Sequence, residues 1–305
     1  MKEKIFITGG LGFIGSHIAE LYSTKGFEVV LYDNLKSGTF ENIQNISNYT
    51  FIEGDINDRD LLTNAMKGCT TVYHFAAEIS VPESMKQPIE TELVNTIGTI
   101  NVLESMIANT IKTIVFASSA AVYGMSEICP KLTTFYPEPT SPYAISKLSS
   151  EYYVKSYCDR FGMKGIIPRF FNVFGERQRL GSGYAAAIPI FISKALKNEP
   201  ITIYGDGEQT RDFIYVKDLA LYLFYLSTNF PSGVYNIGYG TFITINDIAK
   251  IIIRLSNSKS QITHVAPRIG DIKYSYASIG ELSDLPINLT GFDKGLRNTI
   301  DFFRT

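Results

Sequence analysis

Up to about residue 170 the chain alternates short apolar runs with longer stretches of helical periodicity. The runs are KIFIT (4–8), EVVLY (28–32), TFIE (50–53), TVYHF (71–75), TIVFAS (113–118) and GIIPRF (165–170). Strand-like runs separated by helical patterns predict parallel strands joined by crossover helices. Each run is apolar at almost every position, as a strand covered by helices on both faces should be. The expectation is an α/β fold built on a doubly wound parallel sheet.

Beyond residue 170 the rhythm loosens into NVFGERQRLGSG (172–183), a helical stretch around 184–198, ITIYGDG (201–207) and RDFIYVKDLALYLFYL (211–226). A helix from Ile245, a segment around 262–275 and a last helix near 292–304 complete what reads as a smaller α/β C-terminal lobe. The expected division is 1–172 plus about 212–238 for the sheet domain, and 173–211 with 239–305 for the lobe. Ligands of such sheets bind beyond the carboxyl ends of the strands. The lobe is expected to close over that edge and hold a substrate.

The 305 residues are 45% hydrophobic with a formal net charge of -2, so no basic excess argues for nucleic acid or an anionic membrane surface. Cys69, Cys129 and Cys158 stand far apart with no CxxC pair, which offers neither a disulfide framework nor a thiolate metal site. MKEKIFITGG passes from a charged stub directly into a strand pattern, without the apolar stretch of a signal peptide. No apolar run has bilayer-spanning length. A soluble, cytoplasmic protein is expected.

TGGLGFIGS (8–16) follows the first strand and opens a helix, the context in which a glycine pattern becomes informative. Its spacing is GxxGxxG. Gly9 suits the tight turn, Gly12 a close backbone approach to a pyrophosphate, and Gly15 tight helix–strand packing, with the first-turn N–H groups facing the phosphates. Asp33, ending the second strand, can accept both adenosine ribose hydroxyls and would repel a 2′-phosphate, which favours NAD over NADP despite Lys36 nearby. Asp55 is either an adenine contact or a helix cap. The full cofactor set is expected to be Gly9, Gly12, Phe13, Ile14, Gly15, Asp33, Asn34, Ser37, Gly38, Asp55, Ile56, Phe75, Ala76, Ala77, Asn95, Tyr143 and Lys147. The sheet domain is thus of Rossmann type.

SPYAISK (141–147) holds Tyr143 and Lys147 four apart, on one face of a helix that begins behind a Ser-Pro step. Tyr32 and Lys36 repeat the YxxxK spacing, but only the pair at 143 follows the fifth strand and the serine-rich FASSAAVYG (116–124). A phenol with a reference pKa of about 10 must act as a base near neutrality; a lysine ammonium about 6 Å away, at an effective dielectric near 20, lowers it by about two units. Tyrosinate can then take an alcohol proton while the adjacent carbon passes hydride to a nicotinamide. Ser119 on its own is open between a site residue and a strand-end cap.

GxxGxxG, Ser119, YxxxK and the later RDFIYVKDL, in that order, make the chain resemble the extended short-chain dehydrogenase/reductase family, in particular its NAD-dependent nucleotide-sugar epimerases and dehydratases. The resemblance implies that Ser119 hydrogen-bonds the reacting sugar oxygen, that Tyr143 is the base, and that Lys147 tunes Tyr143 and holds the nicotinamide ribose. The 4,6-dehydratases carry an acid pair just after the catalytic hydroxyl residue; this chain has Ala120 and Ala121. Two methyl groups cannot move protons. What is left oxidises an alcohol and reduces the ketone again, the chemistry of a 4-epimerase with recycled NAD.

The second lobe is similar to the sugar-nucleotide half of UDP-glucose 4-epimerases. That likeness implies diphosphate contacts from Asn172, Arg211 and Arg268, a nucleoside ribose held by Asp271, and Tyr204 beside the base. Ser275 falls at the position that gates the sugar 2-substituent, so UDP-GlcNAc and UDP-GalNAc are expected substrates along with UDP-glucose and UDP-galactose; Tyr274 and Tyr276 flank it. Family members pair through two helices, here those near 84–109 and 141–161, implying a homodimer. A nucleotide-sugar 4-reductase or oxidoreductase and a noncatalytic NAD-binding sensor are the rival readings. His17, His74 and His264 are too scattered to form a ligand cluster and are read as structural, with no metal expected.

Overall fold

The computed structural model describes residues 3–179, 186–268 and 271–304. The chain opens with β1 (Lys4–Thr8), α1 (Phe13–Thr24), β2 (Glu28–Asp33), β3 (Tyr49–Glu53), α2 (Arg59–Ala65) and β4 (Thr71–His74). Next come α3 (Val81–Lys86), α4 (Pro88–Glu92), a π-helical turn (Leu93–Ile97) and α5 (Gly98–Ala108). β5 (Thr113–Phe116), β6 (Ser118–Ser119), a 3-10 turn (Ala120–Tyr123), α6 (Pro142–Phe161) and β7 (Lys164–Phe170) follow. The strands lie in the order β7-β5-β4-β1-β2-β3, each paired parallel with its neighbour. Strand order reverses between β1 and β4, the switch point at which ligands bind in a doubly wound sheet. The Rossmann-type α/β fold expected from the apolar runs is the observed one.

Burial explains why those runs read so clearly. In β1 and β2 nearly every side chain is buried, because helices cover both faces, and Phe6, Val30, Tyr32, Val72, Ile114 and Phe116 share one core with Val102 and Leu103 of α5 and Val154 of α6. α6 starts at Ser141, whose hydroxyl accepts from Ala144 N–H at 3.2 Å, with Pro142 in the first turn; it stops at Gly162 in the left-handed region. Its buried face is polar for an interior helix: Ser146, Lys147, Ser150 and Glu151 lie on it. The two serines fit because each turns its hydroxyl back to the helix, Ser146 to Tyr143 C=O at 2.8 Å and Ser150 to Ser146 C=O at 2.8 Å.

The remaining elements are β8 (Asn172–Phe174), α7 (Ala187–Leu196), β9 (Ile201–Tyr204), β10 (Thr210–Arg211), β11 (Phe213–Tyr215) and α8 (Val216–Asn229), then β12 (Gly233–Ile237), β13 (Ile243–Thr244), α9 (Ile245–Ser256), β14 (Ile262–Val265), β15 (Tyr274–Ser275) and α10 (Phe292–Arg304). β12 joins the large sheet beside β7; β13-β10-β15, β11-β8 and β14-β9 form small sheets. α9 buries Ile245, Ile248, Ala249 and Ile252, a helical stripe, behind a Thr244 cap that accepts from Asp247 N–H at 3.0 Å. Residues 184 and 185 of the helical stretch expected over 184–198 lie outside the described residues, as do 180–183 of the preceding segment and 269 and 270.

The chain divides into two compact units: Met1–Gly124, Pro139–Arg169 and Ala220–Tyr235 in one, Met125–Glu138, Phe170–Leu219 and Asn236–Thr305 in the other. Segments 125–138 and 212–219, expected from the sequence to stay with the sheet domain, thus group with the second unit. Backbone pairing is the reason for the first: Lys131 N–H donates to Tyr276 C=O and Ser278 N–H to Lys131 C=O, both at 2.9 Å. For the second, the buried Asp212 carboxylate accepts from the N–H groups of Tyr239 (2.8 Å), Gly240 (3.0 Å) and Ala277 (3.1 Å), tying its own segment to two distant ones.

Candidate active site

The glycine loop after β1 is built so that side chains cannot enter it. Gly9 sits at φ +64°, and a Cβ there would lie 2.8 Å from Ala76 N; a Cβ on Gly15 would lie 2.2 Å from Gly9 O. Gly10, absent from the expected set, is equally constrained, since a Cβ would come within 2.9 Å of the Leu31 side chain. A Cβ on Gly12 meets only Gly9 O, at 3.1 Å. Gly12 is also the N-cap of α1 and supplies no side-chain cap, so the first-turn N–H groups of Phe13 and Ile14 are available to an anion. The loop therefore fits a dinucleotide pyrophosphate.

Asp33 is 6% exposed and binds back to the loop: Oδ2 accepts from Leu11 N–H at 3.0 Å and Oδ1 from Leu35 N–H at 2.9 Å. Two of its four lone-pair sites stay open for ribose hydroxyls. Gly38 is small for a packing reason, because a Cβ would lie 2.7 Å from both Asp33 oxygens; Ser37 beside it is exposed. Asp55 is no helix cap. Its Oδ1 accepts from Asn57 N–H at 2.9 Å and its Oδ2 from the Asn34 amide at 2.8 Å, while Asp58 caps α2 by accepting from Leu61 N–H at 3.1 Å. Ile56 is buried against Gly98, where a Cβ would come within 2.3 Å.

Phe75 and Ala76, followed by Ala77 at the carboxyl end of β4, are held by a buried polar chain. Thr8 Oγ1 accepts from Phe75 N–H (3.2 Å) and Ala76 N–H (3.1 Å), which leaves its own hydrogen for His74 Nδ1 at 2.7 Å. His74 Nε2–H then donates to Thr99 Oγ1 (3.0 Å), and Thr99 donates to Asn95 C=O (2.5 Å). The chain of donors requires a neutral imidazole. Burial, with Lys147 adding to it, holds the His74 pKa at about 3. His74 is thus structural. The Asn95 side chain, in the π-helical turn, accepts from Glu78 N–H (2.8 Å) and donates to Glu78 C=O (2.9 Å) and Ser146 Oγ (2.9 Å). Both amide hydrogens serve the protein, so Asn95 pins the 75–80 loop to α6.

A histidine neutral in the native state and titrating near 6.5 when unfolded binds fewer protons folded than unfolded between those values. Its contribution is intact above pH 6.5 and is lost as pH falls toward 3, by up to about 5 kcal/mol. Urea unfolding at pH 7 and 4.5 should show His74→Gln losing less stability on acidification than the parent; parallel losses would refute the neutral strut.

Of the two readings the sequence left open for Ser119, the structure shows the cap. Its Oγ accepts from Ala121 N–H at 3.1 Å as the cap of the 3-10 turn, an arrangement that leaves the O–H free to donate. Ala120 and Ala121 are half-buried methyls directly after it. Tyr143, half-buried in the first turn of α6, and Lys147, one turn on, share a helix face. Lys147 is 4% exposed, donates from Nζ to Ala117 C=O at 2.9 Å and lies 5.2 Å from the Phe116 ring centre. Burial pulls its pKa down to about 8, with the Glu151 carboxylate working in the opposite direction.

In the second unit the arginines are already engaged. Arg211 pairs with Asp271, whose other oxygen accepts from the Gln209 amide at 3.3 Å. Arg268 lies over the Tyr204 ring, 4.0 Å from its centre, presenting a stacked cation–aromatic pair. Asn172 donates to Asp212 C=O at 2.9 Å. β15 runs parallel to β10 with Ser275 opposite Arg211 and Tyr274 opposite Thr210, so Ser275 shares a sheet face with Arg211 and Tyr274 takes the other. Among the described residues no group of three or more His, Cys, Asp or Glu side chains could hold a metal ion. No helix among them is long and apolar enough to cross a membrane.

Residues 5–238 match the family model for the NAD dependent epimerase/dehydratase family. A UDP-N-acetylglucosamine 4-epimerase from Methanobrevibacter ruminantium, solved with UDP-N-acetylmuramic acid, is 39% identical, covers 100% of this chain and 99% of its own, and superposes with a TM-score of 0.94. The Thermus thermophilus UDP-glucose 4-epimerase, solved with NAD, is 33% identical with 99% of each chain covered and a TM-score of 0.90. A UDP-N-acetyl-alpha-D-glucosaminuronate decarboxylase of Bacillus cytotoxicus is 32% identical over 100% of this chain and 98% of its own. With its glycine cradle, its Ser119 and its Tyr143–Lys147 helix, the chain belongs to the NAD-dependent epimerase/dehydratase family and uses NAD as its cofactor.

Proposed function

We propose that the protein is a UDP-hexose 4-epimerase. The observation that carries this reading is the strand end after β5: a serine hydroxyl able to donate, followed by Ala120 and Ala121, with no acid for eliminating water. Tyr143 takes the proton of the sugar 4-hydroxyl as general base, Ser119 donates to the same oxygen, and the Lys147 ammonium favours the phenolate. The glycine cradle and Asp33 would hold NAD, which when bound would supply a reversible hydride acceptor for C4. Ser119 and protonated Tyr143 then steady the 4-keto sugar while it turns, and Tyr143 gives the proton back. Asn172, Arg211 and Arg268 would contact the diphosphate, with Asp271 and Tyr204 at the nucleoside; Arg211 would change partner from Asp271 to phosphate, for which its planar fork is suited.

Enzyme purified without added nucleotide, given UDP-galactose, should form UDP-glucose through many turnovers per chain. A strict need for added NAD or NADH would show a 4-reductase or oxidoreductase instead. The kinship with a decarboxylase makes UDP-N-acetyl-alpha-D-glucosaminuronate the comparison substrate, and release of carbon dioxide from it without epimerase activity would overturn the reading.

Ser275 would leave room for an N-acetyl group beside the sugar, since the register places it with Arg211. Ser275→Tyr should raise KM for UDP-GlcNAc and UDP-GalNAc at least about tenfold, a loss of ~1.4 kcal/mol, and leave UDP-glucose and UDP-galactose within twofold. Equal losses on all four sugars would refute the gate.

The homodimer is proposed through α4, the π-helical turn and α6. Ile89, Leu93 and Ile97 form an i, i+4, i+8 stripe exposed by 77%, 45% and 44%, and Ile145 and Tyr152 of α6 are exposed by 46% and 60%. A monomeric protein rarely leaves such a stripe in water. Light scattering should give twice the chain mass, falling to one chain in Leu93→Asp/Ile97→Asp; a monomeric parent would refute the pairing. The three cysteines are free, in keeping with a reducing cytoplasm.

A further inference from the structure

Behind the Tyr143–Lys147 face lies a buried ion pair that the epimerase chemistry does not itself require. Glu151 continues the i, i+4, i+8 series of Tyr143 and Lys147 on α6. Arg169 of β7 grips it in bidentate fashion, Nε to Oε1 at 2.9 Å and Nη2 to Oε2 at 2.7 Å, and the two side chains are 5% and 6% exposed. Ser118 Oγ donates to Oε1 as well, in a short hydrogen bond. Arg169 lies over the Tyr123 ring, 4.9 Å from its centre. Burial opposes the charge on Arg169, and the Glu151 bonds more than offset it, so the guanidinium is held above its ordinary pKa.

A buried pair of this kind is a poor way to add stability, since well-packed apolar side chains do as well. Its position suggests a different use. Ala117 C=O holds Lys147 and Ser118 Oγ holds Glu151, so two successive residues of the strand end form two successive rungs to α6. The next residue is Ser119. The groups around Lys147 are neutral His74 from β4, the Phe116 ring and Ala117 carbonyl at the end of β5, and Tyr143 and Glu151 on its own helix; Arg169 of β7 lies behind Glu151, and the Tyr123 ring of the 3-10 turn lies against Arg169. Glu151 is the one carboxylate in that set.

We propose that Glu151 is a positioning residue for catalysis: its carboxylate keeps Lys147 charged in a dry site and, through Ser118, holds the strand end of Ser119 in register with the helix of Tyr143. The inference rests on the assignment of Tyr143 and Lys147 given above. Glu151→Gln keeps an acceptor for Ser118 but removes the charge and leaves Arg169 uncompensated beside Lys147. Lys147 then loses its proton at lower pH.

The midpoint can be read directly, without any substrate, from the lysine side-chain NMR signal assigned by its absence in Lys147→Met of the NAD-loaded protein. Glu151→Gln should lower that midpoint by about one pH unit or more, and Arg169→Gln should raise it. Glu151→Gln/Arg169→Gln, which restores net charge, should return it toward the parent value. The alkaline limb of turnover should move with it. Ser118→Ala keeps the charge, so it should leave the midpoint in place and lower kcat about tenfold with little change in KM. A midpoint unmoved in both single variants, or moved the same way in both, would overturn the charge role; unchanged kcat in Ser118→Ala would overturn the register role. If no UDP-sugar is turned over, the epimerase reading fails while the NMR titration still decides this one.

Discussion

Tyr143→Phe is expected to lower kcat for UDP-galactose by about 10³-fold or more while the protein keeps its fold and its NAD. Positioned acid–base catalysis contributes about 10²–10⁴-fold, and in the proposed reaction the same phenol both removes and returns the proton. The substitution deletes one oxygen from a half-buried side chain in the first turn of α6. That turn is fixed by groups the change does not touch: the Ser141 cap, Pro142 in the first turn, and the Ser146 hydroxyl on Tyr143 C=O. The glycine cradle lies on β1 and α1, so retained nucleotide, read by absorbance after denaturing the purified variant, should match the parent. Loss of kcat together with the nucleotide would indicate a damaged site; full activity would remove Tyr143 from the chemistry.

The contrast between β1 and the 125–138 segment shows which features the sequence made legible. β1 spans Lys4–Thr8, the KIFIT run itself, because a strand buried on both faces writes its whole length in apolar residues. Segment 125–138 carries no such signature. It is assigned by backbone bonds from Lys131 to Tyr276 and Ser278, partners about 145 residues away, which local pattern cannot report. The stretch near 84–109 likewise reads as one helix but contains α3, α4, a π-helical turn and α5, with Pro88 starting the second piece. The extra residue of the π turn falls around Asn95, and the Asn95 amide pins the loop after β4.

Within the candidate site, residues whose chemistry is local were easier to find than residues that act through others. The glycine spacing and YxxxK are local. Asp55 and Asp58 show the limit: both are aspartates before α2, and only the geometry shows that the later one is the cap. Glu151 was within reach, since it repeats the four-residue spacing of Tyr143 and Lys147, but its partner Arg169 comes from another strand. A glutamate on a helix reads as a solvated charge until the strand behind it is known.

Lys147→Met should make the protein more stable at neutral pH and nearly inactive. The native environment holds the ammonium near pKa 8 against 10.5 in the unfolded chain, chiefly by burial. Below pH 8 the charged form is carried into the folded state at a cost of about 3 kcal/mol, at 1.36 kcal/mol per pKa unit. The cost shrinks as pH rises from 8 and is gone by about 10.5, where both states are neutral. Methionine fills the same space without the charge but leaves Ala117 C=O without its donor, at about 1–2 kcal/mol. The net gain at pH 7 is therefore about 1–2 kcal/mol and should change sign at about pH 9.5, which urea unfolding of parent and variant across pH 7–10 would reveal. Activity should fall at least about 10²-fold, because the phenol of Tyr143 loses the positive charge proposed to make it a base. Lower stability at neutral pH would mean that the lysine is held comfortably, and then its place in this site would be a matter of packing. Higher stability with lost turnover would mark Lys147 as a charge kept in the interior against folding, for the sake of the reaction.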